Sequence, residues 1–136
     1  MITVEEGRRY LGIMPAVAED VMGLNVVSFY LDNAGTAVPA HLAVIVLLRA
    51  DTGEPLAVMA GRLITEMRTA AVSAAVTKSL APPAGSVLAL RGRRVQAQAG
   101  RVRRPEDVRT VFKSVGIAVA DVAAARLVFE ASGGKL

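Results

Sequence analysis

Arg68 and Thr69 are the residues of this sequence best placed to do chemistry. They stand early in the segment 65–80, where Met67, Ala70, Ala71, Ala74, Ala75 and Leu80 recur at helical spacing, with Thr65 as N-cap and Glu66 in the first turn. A guanidinium and a hydroxyl then lie beside the unpaired amides of a helix N-terminus, an arrangement that can hold a carboxylate or a phosphate. An exposed arginine on an ordinary helix fits the same spacing, and the pattern alone does not choose between them.

A second candidate is a glycine turn. Ser-Val-Leu-Ala-Leu at 86–90 is a short run of strand type, and Gly92 follows where a dinucleotide-binding turn would begin. The second glycine of such a loop lets backbone approach a pyrophosphate; here that position is Arg94, and Ala97 takes the third. No second strand, crossover helix or ribose-binding acid follows, so no cofactor-binding residue is assigned.

Arg91, Arg93, Arg94, Arg101, Arg103, Arg104 and Arg109 crowd the same stretch, opposed there by Glu106 and Asp107. Such a cluster could neutralise phosphates. It lacks interleaved aromatic residues and any nucleic-acid fold motif, which favours a solvated linker and makes nucleic acid an unlikely partner. His41, the one histidine, has no assignable partner acid or nucleophile and reads as a hydrogen-bonded structural residue. The absence of cysteine excludes disulfides and thiolate metal sites, so no metal is expected and the cytoplasm is the default compartment.

The elements that must position these groups follow from periodicity. Tyr-Leu-Gly-Ile-Met at 10–14 and the stretch 24–31 are strand-like, and the latter ends at the turn cluster Asp32-Asn33-Ala34-Gly35. The run 41–49 is almost wholly apolar, as expected of a strand buried on both faces. Asp51-Thr52-Gly53 is a turn, and 55–60 is the returning strand, with Pro55 first, where its missing donor costs least. The breakers at 81–85 end the first helix. Beyond them a short strand at 109–112 and a second helix at about 118–131 are expected, the helix striped by Ile117, Val122, Ala125 and Phe129 and closed by Gly133-Gly134. The fold class is α+β: a mixed, largely antiparallel sheet with helices packed on it and no complete Rossmann domain.

With 136 residues, one domain is expected, too short for a substrate domain plus a complete dinucleotide domain. Apolar residues make up 53% of the chain but aromatics only 4%, so the core must be built from Val, Leu, Ile and Ala, and the surplus could serve an oligomer interface. The N-terminus has two acids before its basic pair and no apolar h-region, unlike a signal peptide. The longest apolar stretch, 42–48, falls far short of the roughly 20 residues of a membrane span.

Several blocks together resemble the ornithine cyclodeaminase/mu-crystallin family. They are Gly-Ile-Met-Pro-Ala at 12–16, Asp32-Asn33 with Pro39-Ala40-His41, Asp-Thr-Gly-Glu-Pro-Leu-Ala at 51–57 and, above all, Ile-Thr-Glu-Met-Arg-Thr-Ala-Ala at 64–71. Val-Phe-Lys-Ser-Val-Gly-Ile-Ala at 111–118, with Asp121 and Ala123-Ala124-Ala125, is similar to the same family's closing segment. The resemblance implies relatives that are NAD(P)-dependent enzymes acting on amino acids or cyclic imines: ornithine cyclodeaminases, alanine dehydrogenases and ketimine reductases, usually dimeric. It also implies a Rossmann domain inserted into a substrate and dimerisation domain. On that basis 1–85 and 105–136 form one discontinuous domain, and 86–104 is a residual Rossmann strand and arginine-rich linker, the rest of the insert and the family's first helices being absent.

Among individual residues, Arg68 matches the family's arginine for the substrate carboxylate, with Thr69 beside it. The family's substrate-binding lysine falls at Asn25, which supplies no cation. The catalytic aspartate belongs to the missing insert, and neither Asp107 nor Asp121 takes its place; Lys78 and Lys113 read as solvated. The expectation is a truncated member, inactive alone and without cofactor, serving as a homodimerisation or amino-acid carboxylate-binding domain. Alternatives are a cyclodeaminase, dehydrogenase or imine reductase activity with a nucleotide domain supplied elsewhere, and a basic interaction module.

Overall fold

Long runs of β-branched and apolar residues, broken by short turns, give a meander. In the computed structural model, which describes residues 2–80 and 116–136, strands β1 (Ile2–Glu5), β2 (Arg9–Ala18), β3 (Val21–Tyr30), β4 (His41–Arg49) and β5 (Pro55–Ala60) form one sheet in that spatial order. Every neighbouring pair is antiparallel. Helix α1 (Gly61–Leu80) follows β5 without a loop, and α2 (Ala118–Ala131) packs against β2, β3 and β4. The α+β expectation holds. The expected strands at 86–90 and 109–112, the glycine turn and the arginine cluster lie outside the described residues.

The β4–β5 hairpin forms where the sequence places it, and Gly53 takes φ +74° at its turn, a conformation that side chains rarely adopt. Pro15 does not end β2. The strand continues to Ala18, because β1 pairs with β2 only as far as Leu11 and Pro15 sits where β2 is an edge.

Strand register separates two faces, since directly opposed residues point the same way. Val21, Asn25, Ile45 and Leu47 face inward, where Val21, Ile45 and Leu47 form the core with Val122 and Ala125 of α2; Ala16, Ala57, Met59, Ile64 and Phe129 pack around it. Leu42 and Val44 point the other way and are exposed, as are Ile13, Val17 and Val58. The expectation that β4 is buried on both faces is therefore wrong: α2 packs on one face of the sheet, and the apolar run extends onto the other.

Two compact units are distinguished, one of Met1–Ala71 with Val115–Leu136 and one of Val72–Ser114. The sheet, the first part of α1 and α2 belong to the former. Gly133 and Gly134 close α2, the Gly134 amide donating to the Phe129 carbonyl at 3.0 Å. Val122, Ala125 and Phe129 form the inward stripe as expected, whereas Ile117 precedes the helix and is exposed. No helix among the described residues is long and apolar enough to cross a membrane.

Candidate functional site

Helix α1 begins at Gly61, four residues before the predicted cap. Thr65 is thus inside the helix, Arg68 lies on its second turn, and the free amides of the first turn are not beside Arg68 or Thr69. The helix is also rotated from its predicted stripe. Met67, Ala70, Ala71, Ala74 and Ala75 are exposed, while Gly61, Arg68 and Ser73 are buried. What turns Arg68 inward is a carboxylate. Asp121, wholly buried on the first turn of α2, accepts from Arg68 Nε at 2.6 Å and from Nη2 at 2.9 Å. This two-toothed geometry uses the planar guanidinium fork fully and compensates both buried charges.

Two further side chains complete the cluster. The Thr65 hydroxyl donates to Asp121 Oδ1 at 3.1 Å and accepts from Asn25 Nδ2 at 2.9 Å. Asn25 lies mid-strand in β3 opposite Ile45, fully buried, and its Oδ1 has no partner among the described residues. Gly116 closes the outer end of the guanidinium. It has φ +81°, and a Cβ built there would lie 2.8 Å from Arg68 Cζ and nearer still to both terminal nitrogens. Only glycine fits that approach.

Of the predicted pair, Arg68 is at the centre of this cluster. Thr69 instead donates its hydroxyl to the Thr65 carbonyl at 2.7 Å, along the helix. His41 begins β4, opposite Phe29. Sequence reasoning singled out Asn25 as a departure but gave no role to Thr65 beyond capping, and none to Gly116 or Asp121 as Arg68's neighbours. A signal was present for Asp121. An aspartate on the apolar stripe of an alanine-rich helix is not buried unless something pairs with it.

The cluster's one hydroxyl, on Thr65, donates to a carboxylate that Arg68 already holds two-toothed, and no group of three His, Asp or Glu among the described residues could hold a metal. The strand-to-helix junction at Ala60–Gly61 has one glycine, against Ile45, where a pyrophosphate cradle would need several. That junction does not fit a pyrophosphate. What the cluster can do is hold a carboxylate, through two N–H groups and a hydroxyl.

The family model "Ornithine cyclodeaminase/mu-crystallin family" matches residues 1–102. The chain belongs to this family. Mouse ketimine reductase mu-crystallin is 46% identical over 99 residues, which cover 71% of this chain and 32% of the relative. Delta(1)-pyrroline-2-carboxylate reductase of Bacillus cereus is 36% identical over 88 residues, covering 63% and 27%. Among solved structures, Thermococcus litoralis Delta(1)-pyrroline-2-carboxylate reductase in complex with NADH and L-proline superposes with a TM-score of 0.55 at 42% identity, over 60% of this chain and 26% of that one. An archaeal alanine dehydrogenase dimer with bound NAD gives a TM-score of 0.57 at 32% identity, over 63% and 27%. The chain thus spans about a third or less of the length of these family members.

Proposed function

We propose that this chain is a dimerisation domain of the ornithine cyclodeaminase/mu-crystallin type, inactive by itself, in which Arg68 and Thr69 mark a site for a small amino-acid carboxylate. The two stretches 1–85 and 105–136 act in it as one discontinuous domain. The observation that carries the dimer reading is the face of the sheet opposite α2, which no other described element covers. Ile13 and Val17 of β2, Leu42 and Val44 of β4 and Val58 of β5 are exposed there, around half-buried Met22, Leu24 and Val46. Pro15, Val17, Met22, Leu24 and Leu48 line a shallow depression of about 350 Å³ in the same face. A contiguous apolar face of this kind marks an interface. The occupant we assign is a second copy of this chain, in keeping with the dimeric alanine dehydrogenase whose fold it shares in part.

Sedimentation equilibrium tests this. The wild-type chain is expected to show twice its 14.2 kDa mass, and Val44→Glu the monomer mass. A wild-type monomer at micromolar concentration refutes the reading. Inactivity alone predicts that NAD(H) titrated into the chain gives no saturable heat; micromolar binding refutes it and favours an enzyme that takes its nucleotide contacts from elsewhere. The carboxylate site rests on the guanidinium fork and the Thr65 hydroxyl, which already hold one carboxylate.

A further inference from the structure

We infer that Asp121 occupies the place of a ligand carboxylate on Arg68, so that a small α-amino or imino carboxylate binds only as the first turn of α2 withdraws. This rests on the carboxylate reading above and states how that site is controlled.

Both ends of the guanidinium are taken. Asp121 fills the Nε/Nη2 fork and Gly116 sits against Nη1 and Nη2, leaving the Arg68 side chain 5% exposed. An incoming carboxylate has no second fork to use. The three donors that meet Asp121, two from Arg68 and one from Thr65, are the set a free carboxylate would need. The neighbouring acceptor, Asn25 Oδ1, is buried and unpaired among the described residues. As a buried acceptor on a side chain of the same cluster it suits an N–H group of the ligand, which is why the ligand class is an amino or imino acid rather than a plain carboxylate.

The occluding turn is held through Asp121, while its start carries no side-chain cap. Ile117, the N-cap of α2, makes no side-chain capping bond and is 58% exposed. Helix ends without caps open before helix centres. The downstream residues Val122 and Ala125 anchor α2 in the core, so withdrawal of its first turn leaves the rest of the helix docked.

L-Proline is a suitable probe, titrated into the intact 136-residue chain. If Asp121 competes with the ligand, Asp121→Ala binds L-proline about tenfold more tightly or better, because the occluded state no longer withholds the site. Arg68→Met in the same background abolishes that gain. Should Asp121→Ala not fold, the wild type decides: saturating L-proline accelerates amide exchange in the first turn of α2 while exchange at β4 is unchanged. Weaker or equal binding by a folded Asp121→Ala chain overturns the inference, as does wild-type binding that leaves α2 exchange unaltered; either leaves the carboxylate reading standing. If neither chain binds L-proline, the carboxylate reading fails, and the inference with it.

Discussion

Two aspartates in this molecule each gather arginines, and their surroundings make them different objects. Asp121 is fully buried and holds one guanidinium two-toothed, with a threonine hydroxyl as third donor. Asp32, after β3, accepts from Arg8 and, at 2.8 and 3.1 Å, from Arg9; Glu5 adds a second carboxylate and the Tyr30 ring lies 6.0 Å from Arg9. Both arginines of the outer cluster are exposed, so water and salt screen it. The inner cluster has no water to fall back on. The same pairing is therefore a structural necessity in one place and an ornament of the surface in the other.

The contrast breaks first at Asp121. Asp121→Ala leaves Arg68 charged and buried without a counter-ion, and urea unfolding should show a loss of about 3–5 kcal/mol. Replacing both partners with apolar residues, Arg68→Met with Asp121→Leu, should recover most of that loss, since the cost lies in the unpaired charge rather than in losing the pair. Gly116→Ala comes next. Its Cβ meets the guanidinium and its positive φ is strained, giving about 1–3 kcal/mol by the same measurement. Thr65→Val removes one hydroxyl from between Asn25 and Asp121 and should cost about 1–2 kcal/mol.

Asp32→Asn should have the smallest effect, a change in melting temperature at neutral pH below the others and further reduced by salt. Its signature is in pH dependence. Hydrogen bonds from Arg8 and then Arg9 hold the Asp32 carboxyl below its ordinary value of 3.8. A carboxylate with a lowered folded pKa stabilises above that ordinary value and loses its contribution as pH falls through the folded one. Below about pH 3.8 the wild type should therefore lose its advantage over Asp32→Asn, as thermal melts across pH 2–5 would show.

The sheet was largely legible because its signals are local. Runs of Val, Ile and Leu between Asp-Asn and Asp-Thr-Gly turns place β4, β5 and their hairpin, and the double glycine at 133–134 places the end of α2. The site was legible only at Arg68. Its partners stand 40 to 56 residues apart in sequence, and no spacing rule connects β3, α1 and α2. Periodicity misled at α1 for a related reason. Counting apolar residues placed Met67 and the alanines inside, whereas a charged pair with good geometry held Arg68 inside instead. Composition also gave the amount of apolar residue in β4 without saying that half of it faces away from the helices.

The meeting of Arg68 with Asp121 also fixes where the intervening chain must depart and rejoin. Because the two are clasped at 2.6 Å, the segment between them has its ends held close together whatever its length. Closing a longer loop between such ends is inexpensive, about 0.6 kcal/mol for each doubling. A domain built this way tolerates large changes in the amount of sequence carried between Arg68 and Asp121, because the clasp, and not the length of the connection, sets how these two residues meet.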